Sequence, residues 1–153
     1  MQIVQSFTVA APRNRVWAII RDPAQMVACV PGCESIEQLD CDRYRSMISV
    51  SVGPIKARFN LTTEIVEERA PAFMKSLSHG EEGTRASIVR LENDVNLSES
   101  RDGGTESSYS TNVEISGRLG RYGAGMMNKI AARLAREFEQ GLRALAQAPQ
   151  HKA

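Results

Sequence analysis

Three cysteines are the first residues whose spacing invites chemistry. Cys29 and Cys33 stand four apart in "CVPGCESIEQL", around Pro31-Gly32, and Cys41 follows eight residues later. A structural zinc site needs four Cys or His ligands at fixed spacings. This chain offers three Cys and two His, and one of these, His151, lies close to the carboxyl end. A redox dithiol reads Cys-x-x-Cys beside a βαβ pattern, and neither condition is met. An odd count with no secretory signal gives no disulfide framework either. Cys29 and Cys33 are therefore expected as small buried apolar groups, with Pro31-Gly32 turning the chain into a strand.

Other polar residues fall, by alternation, on faces that also carry large apolar side chains. Thr63 keeps company with Leu61, His79 with Phe73 and Leu77, Asn93 with Leu91, and Thr111 and Tyr109 with Val113. An interior amide without a partner costs about 1–3 kcal/mol. Asn93 must therefore bond a neighbour, buried water or the polar group of a ligand. His79, at a strand end before Gly80, is either a rim histidine in solvent or a ligand contact. A general base would need a placed partner and a shifted pKa. Glu64, Glu67 and Glu68 read as solvated or rim groups, and no Ser-His-Asp set, phosphate loop or metal cluster is recognisable. No catalytic residue, metal or cofactor is expected.

The elements that must position these residues follow from periodicity. Residues 3 to 9 alternate, with Ile3, Gln5, Phe7 and Val9 on one face. Pro12 suits the first turn of a helix with Val16, Ile19 and Ile20 on one side, and Asp22-Pro23 stops it. A second short helix, 24 to 29, leads into Pro31-Gly32. From Glu34 to Gly117 the pattern is six strands in succession, each greasy on one face and wet on the other, as in an antiparallel sheet solvated on its outside. A long helix over 118–147 closes the chain, with Met126, Ile130, Leu134, Phe138, Leu142 and Leu145 on one half of its wheel. The opposite arc carries Arg118, Arg121, Lys129, Arg133, Arg136 and Arg143.

This order predicts an α+β helix-grip fold: a curved seven-stranded antiparallel sheet wrapped around a long C-terminal helix, with two short helices after strand 1. One domain is expected over 1–147 and a frayed tail over 148–153. At about 30 residues the last helix is roughly 45 Å long, enough to cover the greasy face of the sheet. Such an arrangement leaves a hollow between the two. The residues expected to line it are Trp17 of the first helix and Phe59, Leu61, Phe73, Leu77, His79, Leu91, Asn93, Tyr109 and Val113 of the strands. Met126, Met127, Ile130 and Leu134 of the last helix complete the lining.

Composition bounds the partners. With 153 residues, 42% of them hydrophobic, and a net charge of +1, the chain is an ordinary globular domain with no global attraction for nucleic acid. No run approaches 18 consecutive apolar residues, so no spanning helix is expected. The opening residues lack the order of a signal peptide, so a reducing cytoplasm is the expected compartment. At about 1 kcal/mol per base, the basic arc of the last helix suffices for transient contact with an anionic membrane surface, or for an acidic partner protein.

Three stretches carry a family resemblance. "AAPRNRVWAIIRDPAQMVACVPGCESIE", "SVGPIKARFNLTTEIVEERAP" and "GRLGRYGAGMMNKIAARLAREFEQGL" together resemble the G-subunit family of carbon monoxide dehydrogenase. That family belongs to the START/SRPBCC superfamily, with polyketide cyclases and lipid-transfer domains. The resemblance covers most of residues 7 to 145. Pro31, Gly32 and Cys33 fall on the family's Pro-Gly-Cys corner, which the resemblance makes a structural feature. In the region of "SLSHGEEGTRAS" the family is glycine-rich, whereas here Gly80 and Gly83 remain. Some relatives carry a long tail with a membrane anchor after the last helix; none is read here.

The resemblance, with the helix-grip pattern, implies a non-catalytic accessory protein. It would hold an apolar small molecule, a lipid or an isoprenoid quinone, in service of a molybdenum-containing dehydrogenase or another membrane-linked redox enzyme. The alternative is a cyclase- or dehydratase-like enzyme acting on an aromatic or polyketide substrate, with His79, Asn93 and Tyr109 as its polar contacts.

Overall fold

The computed structural model describes residues 1–83 and 86–148. Beyond Ala148, the expected tail lies outside the described residues. Strand β1 (Gln2–Val9) runs into α1 (Arg13–Ile20) and α2 (Pro23–Cys29). Strands β2 (Cys33–Gln38), β3 (Arg43–Val52), β4 (Ile55–Arg69), β5 (Phe73–Glu82), β6 (Ser87–Glu99) and β7 (Thr105–Gly117) follow, and α3 (Gly123–Gln147) closes the chain. Pro12, in extended conformation, precedes α1. Asp22 caps α2 by accepting from the Ala24 N–H at 3.0 Å, which satisfies one of the orphan donors of a helix start.

The corner after α2 requires glycine. Gly32 has φ 75°, and a Cβ there would stand 2.0 Å from the Ser49 carbonyl oxygen. The flanking cysteines are not both interior: Cys29 is buried, Cys33 half-buried and Cys41 exposed, and all three are free. The half-exposure of Cys33 corrects the expectation that it packs away. It stands at the start of β2, which lies at the edge of the sheet among the described residues.

All neighbouring strands are antiparallel, in the order β1-β7-β6-β5-β4-β3-β2, which places β5 at the centre. Register defines the inner face. Ile48 pairs with Phe59, Ser46 with Leu61, Leu61 with Gly80, and Ser78 with Leu91. Leu91 in turn pairs with Val113, and Ile3 with Thr111. The expected inner faces of β1, β4, β6 and β7 match this register. That of β5 does not.

Met74, Ser76, Ser78, Gly80 and Glu82 of β5 point inward, and Phe73, Leu77 and His79 point outward. A shift of one residue in phase exchanges the two faces of a strand. Between Met74 and Glu82, only small residues face the helix. Phe73 instead lies beneath the Arg69 guanidinium, 4.6 Å from the ring centroid, and Leu77 is 43% exposed.

The last helix is also shorter than the periodicity implies. Residues Leu119–Tyr122 form a 3-10 turn, bounded by Gly117 (φ 87°) and Gly123 (φ 80°). Two left-handed glycines break an α-helix on either side of that turn. α3 proper has 25 residues, about 37 Å at 1.5 Å per residue. It crosses the inner face and completes two separate apolar clusters. One holds Val9, Val16, Trp17, Ile19, Ile65, Met74, Leu97 and Leu142, with Phe138 and Leu145 against it. The other holds Val52, Phe59, Leu61, Val89, Val113, Leu119 and Ile130, with Met127 and Leu134 against it.

The basic arc of α3 is only partly free. Arg118 pairs with Glu82, a carboxylate buried at the end of β5. Arg133 donates to the Ser51 carbonyl at 3.3 Å, and Arg143 to the Thr8 carbonyl at 2.9 Å and to Glu139 at 3.0 Å. A free arc of six bases was the expectation. Half of them are taken by backbone carbonyls and a carboxylate of the sheet: Arg118 ahead of α3, and Arg133 and Arg143 along it.

Candidate ligand-binding site

Between the two apolar clusters a polar belt crosses the inner face. It runs from Ser46 on β3 through Thr63 on β4, Ser78 and Ser76 on β5 and Asn93 on β6 to Thr111 on β7. Thr63 Oγ1 and Ser78 Oγ are 2.7 Å apart, in a bond that either can donate. Thr111 Oγ1 donates to Asn93 Oδ1 at 3.0 Å, and Asn93 Nδ2 donates to Ser76 Oγ at 3.5 Å. Gln5 on β1 prolongs the belt to the helix, donating to the Ala135 carbonyl at 2.8 Å.

The belt is open. Thr63, Ser76, Asn93 and Thr111 all point inward, yet each is only half-buried. Ser76, on the central strand, is too short to cover them, whereas Ser46 and Ser78 on the same belt are buried. Leu91 and Val95, flanking Asn93 on β6, are half-buried in the same way. The Asn93 side chain spends one amide donor on the long contact to Ser76 and its oxygen on Thr111, leaving donor capacity over.

A second polar feature sits in the first cluster. The Tyr109 ring stacks on Phe7 at 5.5 Å and meets Phe138 edge-on at 5.4 Å. Its Oη and the neighbouring Ser107 Oγ are buried without a hydrogen bond of normal geometry among the described residues. Burial drives the Tyr109 phenol well above its ordinary value, and the nearby Ser107 hydroxyl opposes this only in part. Burial likewise pushes the Cys29 thiol up to about 11. Neither group is a nucleophile at neutral pH.

The predicted lining residues divide into three sets. Phe59, Leu61, Val113 and Ile130 are buried in the second cluster, with Leu91, Met127 and Leu134 packed against it; Trp17 and Tyr109 belong to the first. Asn93 lies on the belt between them. Met126 is 38% exposed on the outside of α3, and Phe73, Leu77 and His79 lie on the far side of the sheet. His79, Asn93 and Tyr109 therefore do not converge on one site. The serines of the belt, Ser46, Ser76 and Ser78, escaped the sequence reading, because short hydroxyls in a strand look like solvent-facing positions.

His79 instead lines an open groove of about 1060 Å³ on the outer face. There it stands in one row with Arg45, Thr62, Arg90 and Glu114. Among the described residues, no three His, Cys, Asp or Glu side chains could hold a metal ion, and no helix is long and apolar enough to cross a membrane.

Other proteins share this architecture. A conserved protein from Geobacillus kaustophilus superposes with a TM-score of 0.85 at 23% identity, over 94% of this chain and 93% of that one. A START superfamily protein from Mycobacterium smegmatis gives 0.76 at 12% identity, over 95% and 97%. A Chromobacterium violaceum protein gives 0.70 at 12%, over 97% and 99%. At such identities the fold is what is shared, and it is the START-like helix-grip fold. No curated protein matches the sequence. The family model for the carbon monoxide dehydrogenase G-subunit (CoxG), however, matches residues 6–146, and the chain belongs to that family.

Proposed function

We propose that the protein is a non-catalytic accessory protein that holds an apolar small molecule, of lipid or quinone type, between the inner sheet face and α3. The observation that carries this reading is the half-buried polar belt lying between two apolar clusters. Apolar walls with a few placed polar groups are the usual make-up of a small-molecule site. Burial of the ligand's apolar parts would supply affinity at about 25 cal/mol per Å². Asn93 and Thr111 would orient a carbonyl or hydroxyl.

The family name supports service to a molybdenum-type carbon monoxide dehydrogenase or a related redox enzyme. Arg121 and Lys129, exposed and unpaired among the described residues, flank exposed Met126 at the start of α3. At about 1 kcal/mol per base they favour transient contact with an anionic bilayer, not anchoring. The cyclase-like reading has lost its constellation, since His79 lies across the sheet from Asn93 and Tyr109.

Two measurements test the proposal. Organic extraction of the protein purified from its native host should release a lipid or quinone in near-stoichiometric amount. Binding of a long-chain quinone to the emptied protein should weaken about tenfold in Asn93→Leu, the equivalent of roughly one hydrogen bond. If extraction yields no apolar compound and none binds the emptied protein, the proposal fails. Co-purification with a dehydrogenase tests the partner separately.

A further inference from the structure

The two edges of the sheet are built differently. β2, at one edge, carries Glu34 and Glu37 and a bulge between Cys33 and Ser35. Charges and bulges are the usual means by which an edge strand avoids pairing with another chain. β1, at the other edge, reads "QIVQSFTV", eight residues with no charge, no proline and no bulge. Val4 on its outer side is 66% exposed.

Backbone parity shows which groups of β1 are free. Met1 exchanges both backbone bonds with Val113, so Met1, Ile3, Gln5, Phe7 and Val9 bond toward β7. The N–H and C=O groups of Gln2, Val4, Ser6 and Thr8 point away from the sheet. α3 covers only the far end of this row: Arg143 holds the Thr8 carbonyl at 2.9 Å, and Gln147 Oε1 accepts from the Ala10 N–H at 2.9 Å. From Gln2 to Ser6 the outward backbone groups of the edge have no partner among the described residues. A groove of about 440 Å³ runs beside it, floored by Ala131, Ala132 and Ala135 of α3 and bordered by Asn128, Arg136 and Glu139.

We infer that this open edge pairs with the same edge of a second copy of the chain, β1 against β1 in antiparallel register about Val4. Three observations select a second copy over another partner. The free groups are self-complementary, since an antiparallel pair centred on Val4 sets Gln2 of each copy against Ser6 of the other. The helix side of the groove fits the same two-fold: centred between Arg133 and Leu134, it brings Ala132 to the copy's Ala135, Ala131 to the copy's Arg136 and Asn128 to the copy's Glu139. The face is also close to neutral, with one Arg and one Glu, and so selects no highly charged partner. Alanines let two helices approach closely while the strands hydrogen-bond. The result is one continuous fourteen-stranded sheet made from two seven-stranded ones.

Sedimentation equilibrium of the full chain tests this, together with amide hydrogen exchange. The expected result is a dimer in which the Gln2, Val4 and Ser6 amides are protected, with protection fading on dilution. Val4→Pro removes a donor that the folded monomer does not use and should raise the dimer dissociation constant about tenfold or more. Its circular dichroism should be unchanged. Val4→Lys, which leaves the backbone alone and puts like charges face to face, should act in the same direction. A wild-type chain that stays monomeric up to its solubility limit would overturn the inference. So would a dimer indifferent to both substitutions, or an edge protected only when an extended peptide of another protein is bound.

Discussion

Over its last turns α3 is tied down by specific polar bonds, whereas over its first turns it rests on partial apolar contacts. At the carboxyl end Arg15 donates to the Ala146 and Leu145 carbonyls, each at 2.8 Å, closing orphan acceptors of the helix terminus. Gly141 there lies so close to α2 that a Cβ would stand 3.1 Å from the Cys29 Cα and carbonyl oxygen, and Leu142 is fully buried. At the amino end no side chain caps the helix and no acidic residue stands in its first turn. Gly123 and Gly125 open it, Met126 is exposed and Met127 only half-buried. One end is fixed to α1 and α2; the other is held more loosely, which suits it to admit the ligand proposed above.

Substitutions at the two ends sharpen that contrast. Leu142→Ala should have the largest effect, a loss of about 2–5 kcal/mol from transfer and cavity terms together, read by urea denaturation. Alkali should act next, and at the same end. Burial raises the Cys29 thiol from 9.0 in its ordinary state to about 11. The folded state therefore holds a proton that the unfolded chain releases above its own value. This contribution is complete below about pH 9 and is lost as pH rises toward 11. Melting temperature should fall over that window, and Cys29→Ala should flatten the fall.

Tyr109→Phe is a smaller change of opposite sign. Removing a buried hydroxyl without a normal hydrogen bond should stabilise the empty protein by up to about 1 kcal/mol, provided the Phe7 and Phe138 contacts persist. Met126→Ala, at the open end, should shift stability by less than about 0.5 kcal/mol. A large loss there would break the comparison, since it would mean that the amino end of α3 is as firmly seated as the other.

Most of the fold could be read from hydrophobic alternation, because each strand except β5 places most of its large apolar residues on the inner face. β5 misled for a physical reason. Its inner positions Ser76, Ser78 and Gly80 are small, and at Gly80 a Cβ would stand 2.1 Å from the Asn60 carbonyl oxygen and 2.6 Å from the Leu61 side chain, while Phe73 sits outside under Arg69 and Leu77 beside the outer groove. A strand whose inner positions are mostly small therefore looks inverted beside strands whose inner positions are large. The amino end of α3 misled similarly: Gly117 and Gly123 set off a separate 3-10 turn, a φ-dependent break that apolar periodicity does not report. Asn93 was legible as an inward polar residue. Its bonds to Thr111 and Ser76 were not, because they depend on cross-strand register.

The central claim is that a ligand lies against the inner belt and not in the outer groove. Titration of the emptied, ¹⁵N-labelled protein with a long-chain quinone, followed by NMR, separates the two faces directly. The account predicts that the Asn93 side-chain amide and the backbone amides of Ser76 and Thr111 shift in a saturable way, while His79 and Arg90 stay in place. Shifts confined to His79, Arg90 and Glu114, or none at saturating ligand, would contradict it.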